Sequence, residues 1–412
     1  MRITNTTTPA VILSCPHHGG LGVTRSLGRL GVPVFNVDSN RWAPALFSRY
    51  CAGKSHWDFD NAPAEKSVHQ LMTLARRVGQ KCMLIPTTDA ATIFVADHAA
   101  VLEESYIFPA QSGAMIQSLC NKKQMHDFAR KSDIPTPTTF WPKTRADLIE
   151  CLRNLHFPVM IKAVDGQLRK RGHKTKWIIR NRQDLFVLYD WLGDPSAGEL
   201  IVQEYIPGGE DTVWMFNGYF NQHSECLVSF TGRKLRQCPV YTGVTSLGIC
   251  QKNDVVEEAA KRLMKAAGYH GIVDMDFRYD ARDGEYKLLD VNPRIGSTFR
   301  LFVSEDGMDV ARALYLDLTR QPVPPARLHE GRKWMVEDFD LTASFRYCRD
   351  GMLTLREWMR SLRGIEESAF FCLDDLVPVL MMLRADISEF VRRIKPRWSP
   401  VLPFGNKHRA TL

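Results

Sequence analysis

The sequence predicts a mixed chain, α/β at the start, α+β in the middle and mostly helical at the end. Three observations predict it. Ala10-Val-Ile-Leu-Ser14, a glycine-containing turn, a helical pattern from Val23 to Leu30, and Gly31-Val-Pro-Val-Phe-Asn-Val-Asp38 read as strand, turn, helix and strand. Further on, apolar runs of strand length end on charge: Val159-Met-Ile161 runs into Lys162, while the runs Gly271–Phe277 and Tyr286–Leu289 carry or meet Asp276 and Asp290. After the Pro-rich link Gln321-Pro-Val-Pro-Pro325 the composition shifts to helical patterns near Leu355–Leu362 and Leu383–Ile394, with one further strand over Trp334–Phe339.

Composition narrows the class. The 412 residues suffice for two or three domains, and 44% hydrophobic with 24% charged residues is ordinary for a soluble globular enzyme. A formal charge of +8 suits an anionic ligand, a nucleic acid or an acidic membrane surface, and separates none of them. The ten Cys are scattered with no C-x-x-C pair, against a zinc site or a disulfide framework and in keeping with a reducing cytoplasm, the expected location. The apolar run Ala10–Cys15 is too short for a signal-peptide core, and no apolar run approaches a membrane span.

In chain order, the first candidate is the turn holding Gly19, Gly20 and Gly22, which does not fit the dinucleotide pattern G-x-G-x-x-G. A tight turn in an α/β unit is the expectation, and the adjacent His17 and His18 point different ways, against joint metal binding. Met83-Leu-Ile-Pro86-Thr87-Thr88-Asp89 is a strand end before a helix. Thr88 or Asp89 caps that helix, or Thr87, Thr88 and Asp89 contact an amino-acid substrate beyond the strand ends. Lys162 closes a Val-Met-Ile strand, a costly place for an ammonium unless it meets an anion. Asp290 and Asn292 are two apart and share a strand face. A carboxylate and an amide oxygen there suit a hard cation such as Mg²⁺, and Arg294 two residues later adds a guanidinium. Cation plus arginine is what a transferring phosphoryl group needs, although Asn-Pro can also simply open a turn. Asp276 is placed to meet Asp290 across a strand pair.

An acidic strand residue followed by a strand ending Asp290-Val-Asn292-Pro-Arg294 resembles the end of the ATP-grasp domain, as in carbamoyl-phosphate synthetase and the D-alanine–D-alanine ligases. The family usually has Glu at the position of Asp290. The resemblance implies an N-terminal Rossmann-like pre-ATP-grasp domain over 1–115, a two-lobed ATP-grasp domain over 116–325 (small lobe about 130–205, large lobe about 206–325) and a mostly helical C-terminal extension over 326–412. It implies ATP and Mg²⁺, or Mn²⁺ in its place, with Asp276, Asp290 and Asn292 as metal ligands and Arg294 near the γ-phosphate. Lys122, at a helix start before Ile134-Pro-Thr-Pro137, and Lys162, after Phe157-Pro158, are implied phosphate contacts. Asp165–Lys176 stands where the family has a glycine-rich lid, but is dense in cations and has two glycines. The string Gln203-Glu204-Tyr205-Ile206-Pro-Gly-Gly-Glu210 resembles the hinge that holds adenine, with Glu210 on the ribose hydroxyls; a carboxylate suits two neighbouring hydroxyl donors. Gly232-Arg233-Lys234-Leu-Arg236-Gln237 resembles the substrate-side loop of the D-aspartate-ligase-like branch, with Arg233 and Arg236 as its preferred cations, or is an exposed basic hairpin.

The expectation is therefore a carboxylate–amine ligase that works through an acyl phosphate on small substrates, amino acid or peptide, with no nucleic-acid partner. A non-catalytic nucleotide- or nucleic-acid-binding protein keeping this fold is the alternative. A NAD-dependent oxidoreductase would rest on the first glycine turn alone. The short apolar run Leu376–Leu383 beside Arg392, Arg393, Lys395 and Arg397 can dock on its own domain or on a second subunit in a homodimer, the preferred readings, or lie on a membrane surface.

Overall fold

The computed structural model describes residues 1, 3–15, 18–59, 61–163, 175–192 and 200–394. It builds three sheets. The first is parallel, ordered β3-β2-β1-β4-β5, from β1 (Ala10–Leu13), β2 (Val34–Asp38), β3 (Cys51–His56), β4 (Cys82–Pro86) and β5 (Tyr106–Ile107). Its helices are α1 (His18–Gly28), α2 (Ala64–Val78), α3 (Asp89–Asp97), α4 (Ala99–Leu102) and α5 (Gly113–Cys120). The strands Val11, Leu13, Val37 and Leu84 bury one side against Leu71, Ala75, Ala91 and Val95 of the helices.

The glycines expected in a turn lie inside α1, and the reason is packing. A Cβ on Gly20 would come within 2.9 Å of the Cys15 Cα, and one on Gly22 within 2.9 Å of the Phe299 ring. From His18 to Leu27 every residue of α1 is buried, because the helix is held between the first sheet and the later half of the chain. The glycine pattern therefore buys close approach of a helix to protein.

The second sheet is small and antiparallel. It follows α6 (Lys122–Lys131) and comprises β6 (Thr139–Phe140), β7 (Val159–Ala163), β8 (Lys176–Ile179) and β9 (Leu200–Glu204), ordered β6-β9-β7-β8. Its helices α7 (Arg145–Cys151) and α8 (Arg182–Leu192) cover a core of Leu148, Ile161, Trp177, Leu188 and Val202.

The third sheet has seven strands, ordered β14-β13-β10-β11-β12-β15-β16. They are β10 (Val213–Phe220), β11 (Cys226–Cys238), β12 (Val244–Cys250), β13 (Gly271–Asp280), β14 (Glu285–Asn292), β15 (Lys333–Met335) and β16 (Ile365–Ser368). Between β12 and β13 runs α9 (Asp254–Ala267), whose start is capped by the Asn253 side chain accepting from the Val256 N–H at 3.1 Å and whose end is Gly268 at φ +62°. Val256, Ala260, Leu263 and Met264 of α9 pack under Phe216, Val273, Met275 and Leu288 of the sheet. The remaining helices are α10 (Val310–Leu318), α11 (Glu337–Arg349), α12 (Leu355–Ser361) and α13 (Val377–Ile394).

Two short strands, β15 and β16, come from beyond the Pro-rich link and extend this sheet, so that region shares the sheet's core through Trp334, Val336 and Phe370. Helix α13 docks by Val379 and Met382, while Val377, Leu380, Leu383 and Ile387 stay exposed. No helix among the described residues is long and apolar enough to cross a membrane.

Candidate active site

A cleft of roughly 690 Å³ opens between the four-stranded and the seven-stranded sheets. β7 and β8 supply Lys162 and Lys176, the end of β9 supplies Gln203 to Ile206, β11 supplies Lys234 and Gln237, and β13 and β14 supply Asp276, Arg278 and Asp290.

The acidic pair forms as the strand pattern predicts. Asp276 and Asp290 are direct partners in the β13–β14 ladder, and Asp274 stands opposite Asn292 one step along. All four therefore share one face of the sheet. Each carboxylate meets a lysine: Lys122 Nζ donates to Asp290 Oδ1, and Lys234 Nζ lies 2.9 Å from Asp276 Oδ2. Burial raises the Asp290 carboxyl, but Lys122, Lys162 and Lys176 together outweigh it and hold it below the usual carboxylate range. Asp274 is the reverse case: burial and then the Asp276 charge lift it to about 7. The Asp274 carboxyl sits against the Gly296 backbone, so closely that a Cβ on Gly296 would be 2.4 Å from its Cγ.

Lys162 has no ion-pair partner among the described residues. Burial, then the charges of Lys176 and Lys122, bring its pKa down to about 7. Burial also lowers Lys176, which donates to the Thr242 carbonyl at 3.2 Å. Four lysines around two aspartates leave the cleft with surplus positive charge, an arrangement that suits a polyphosphate.

Along the hinge, the Gln203 amide donates to Thr139 Oγ1 at 2.9 Å, and Ile206 is buried. The Glu204 carboxylate accepts from the Thr138 N–H at 3.1 Å and from Arg282, and the Tyr205 ring lies under the Arg278 guanidinium. Glu210 begins a short 3-10 turn over Glu210–Thr212; its carboxylate accepts from the Gln237 amide and, at 2.6 Å, from the Tyr347 hydroxyl of α11. Arg294 leaves the end of β14 and donates to Asp89 at 2.5 Å, to Asn292 Oδ1 and to the Ile295 carbonyl, both at 3.2 Å. Thr88 caps α3, accepting from the Ala91 N–H at 3.2 Å, and Asp89 is engaged by Arg294.

Two expected cations stand elsewhere. Gly232 to Gln237 is strand, not loop. Arg233 pairs across to Trp214, on the face opposite Lys234 and Asp276, with its guanidinium 5.8 Å from the indole. Register shifts fall on both sides of Arg236, which is buried and bound to Asp340 through two bonds of 2.7 and 2.9 Å. Neither lines the cleft; Lys234 and Gln237 from the same string do. Asp274 was legible in its two-residue spacing from Asp276. Tyr347 carried no local signal. The lid residues 165–174 and His17 lie outside the described residues.

The donor set fits a magnesium ion carried in with phosphates. Among the described residues no three His, Cys, Asp or Glu are arranged to hold a metal alone. Mg²⁺, however, commonly takes one or two carboxylates and completes its shell with water and phosphate oxygens. Asp276 and Asp290, with one oxygen each beyond the lysine contacts, match that demand.

No family model matches the chain. The D-aspartate ligase of Enterococcus faecium (strain Aus0004) is 25% identical over 293 residues, 66% of this chain and 68% of that protein. N5-carboxyaminoimidazole synthetase from Staphylococcus aureus, solved with ADP, superposes with a TM-score of 0.61 at 15% identity over 81% of this chain and 83% of its own. The L-amino acid ligase from Bacillus licheniformis gives 0.58 at 15% identity over 78% of each chain. In architecture and in sequence the chain is similar to ATP-grasp ligases that form carbon–nitrogen bonds, and it shares the fold of the superposed structures.

Proposed function

We propose that the protein is an ATP-dependent carboxylate–amine ligase that activates its acid as an acyl phosphate. The observation that carries this is the Asp276–Asp290 pair ringed by Lys122, Lys162, Lys176 and Lys234. A carboxylate oxygen of the acid attacks the γ-phosphorus, and the bond to ADP breaks. The amine nitrogen then attacks the acyl carbon, phosphate leaves, and the nitrogen gives up a proton. Lys122, Lys162 and Lys176 hold phosphates. The Glu204–Ile206 backbone takes the base and Glu210 the ribose. Asp276, Asp290 and Asn292 hold Mg²⁺, which supplies charge neutralisation at the phosphates and for which Mn²⁺ can substitute. Arg294 meets the charge that develops between acid and γ-phosphate. No side chain needs to become covalently attached. The D-aspartate ligase and the L-amino acid ligase among the similar proteins support an amino acid or peptide as substrate.

The test is ADP release from Mg-ATP with amino acids added singly and in pairs. A required pair, with Asp290→Asn lowering turnover at least about 100-fold, is expected, since even outer-shell changes at metal sites cost 10–100-fold. ATP consumption that ignores every pair and is unchanged in Asp290→Asn would sink the reading.

A further inference from the structure

A second cavity lies outside the cleft just described, between the first and the seven-stranded sheets. Its walls are mostly apolar: Leu84, Val95, Phe108, Ile116, Ile272 and Leu314. They come from β4, α3, α5, β13 and α10 and the segment after β5. Its polar groups are largely engaged with protein. The Tyr269 hydroxyl donates to the Ile272 carbonyl at 2.7 Å, the Thr92 hydroxyl to the Thr88 carbonyl at 2.9 Å, and the Gln111 amide to the His270 carbonyl at 2.9 Å.

Two polar groups on its lining keep capacity to spare. His270 Nε2 is buried with no hydrogen-bond partner among the described residues. Arg294 uses three of its N–H groups, on Asp89, Asn292 and Ile295, and a guanidinium has five. Arg294 is also the link to the chemistry, because it follows Asn292 by two residues at the end of the acidic strand. A molecule whose body fills the cavity presents its polar end at Arg294, next to the place where phosphoryl transfer is proposed.

We propose that this cavity is the specificity pocket for the acid substrate, and that the acid is a small apolar monocarboxylate, its hydrocarbon part among Leu84, Val95 and Phe108 and its carboxylate at Arg294. The proposal rests on the ligase reading and deepens it. It separates this chain from an enzyme acting on aspartate: a second carboxylate placed against these walls would lose its hydration with no described cation there but Arg294. Each CH₂ buried in the cavity adds about 0.8 kcal/mol, roughly a fourfold gain in affinity.

Calorimetric titration of the full chain tests this, with Mg²⁺ and a non-hydrolysable ATP analogue. The probes are 4-methylpentanoate, both enantiomers of leucine, and both enantiomers of aspartate. The apolar probes are expected to bind at least tenfold more tightly than aspartate. Leucine above 4-methylpentanoate identifies an amino acid; the reverse identifies a plain acid. Ala96→Phe, which fills the cavity, is expected to weaken the apolar probes at least tenfold and to leave the analogue's Kd unchanged. Should that variant fail to fold, Val95→Ala enlarges the cavity and shifts preference towards 3-phenylpropanoate. Aspartate binding as tightly as the apolar probes, no apolar probe binding, or apolar affinity indifferent to both variants overturns the proposal. Loss of the ligase reading would show separately, as absence of affinity for the nucleotide analogue in the same titration.

Discussion

Lys162 carries a charge that its surroundings oppose. Burial and the neighbouring Lys176 and Lys122 hold its pKa at about 7, whereas the same side chain in an unfolded chain titrates near 10.4. Over that interval the unfolded chain binds more protons than the folded one, so Lys162 makes stability rise with pH from about 7 and level off above about 10. A polyphosphate reverses the balance and draws a proton onto the amine. Nucleotide binding at pH 8, followed by calorimetry in buffers of different ionisation enthalpy, should therefore take up close to one proton, fall towards none at pH 6, and lose the uptake in Lys162→Met. Uptake unchanged in Lys162→Met would refute the role. A second contrast separates the two neighbours on β11. Lys234→Met should lower turnover at least about 100-fold, the scale of a lost electrostatic contact at developing charge. Arg233→Met should leave turnover within about twofold and cost about 1–2 kcal/mol of stability, the worth of a partly buried cation–π contact. The sequence carried the acidic pair clearly, because Asp290 and Asn292 keep the two-residue period with Asp276 and Asp274 opposite them, on one side of the register shift that falls between Asp276 and Phe277. It hid the choice among Arg233, Lys234 and Arg236 because β11 shifts register around Arg236, and a shift changes which side chains face the cleft.

Element by element, β7, β13 and β14 were legible from their apolar runs, and so was α9 with its Gly268 stop, whereas the cleft-facing part of β11 reads as a loop. The strand expected over Trp334–Phe339 is shorter, since only Lys333–Met335 pairs, as β15 on β12, and Glu337 already opens α11; β16, four residues that pair with β15, was not legible because so short a segment has no period to read. Helix α1 was obscured in its first turn for a different reason. Glycine disfavours helix locally, and here the demand for close packing against Cys15, Ser297 and Phe299 overrides that preference. Helix α11 matters to the cleft although nothing in its own sequence announces it. Its Tyr347 hydroxyl sits 2.6 Å from Glu210 Oε1 and its ring packs edge-on against Tyr241, a cleft residue. A hydrogen bond to a charged group is worth about 1.5–3 kcal/mol, so Tyr347→Phe should weaken ATP binding roughly tenfold by releasing Glu210. Tripolyphosphate, which has no ribose, should bind the variant and the parent alike. Equal weakening for both ligands would mean that Tyr347 supports the cleft as a whole and has no particular tie to the nucleoside.

The whole molecule is tied together by buried arginines that join distant parts of the chain. Arg236 on β11 reaches Asp340 on α11, Arg300 spans Asp309 and Glu367, and Arg25 on α1 reaches Asp375 just before α13. The last of these joins the first sheet's helix to residues 350 positions later. Arg25 donates to Asp375 Oδ2 at 2.9 Å, to the Ala369 carbonyl at 3.1 Å and to the Phe370 carbonyl at 2.7 Å. Asp375 in turn accepts from the Ser48 hydroxyl at 2.7 Å and the Arg49 N–H at 2.8 Å. Each side of this knot is fully satisfied only when the region beyond the Pro-rich link is in place, which makes that region part of the folding unit. Asp375→Ala leaves a buried guanidinium without its counter-charge and should lower the unfolding free energy by about 3–5 kcal/mol. The pair Arg25→Met with Asp375→Leu removes both charges and should recover a large part of the loss, because a buried ion pair is often replaceable by apolar side chains of similar volume. Urea unfolding followed in parallel by tryptophan fluorescence and far-ultraviolet circular dichroism measures both variants. Coincident transitions shifted to lower urea in Asp375→Ala would establish one cooperative unit locked by Arg25. An early separate transition, with the main midpoint unmoved, would mean that the residues after the link fold onto a body already stable without them.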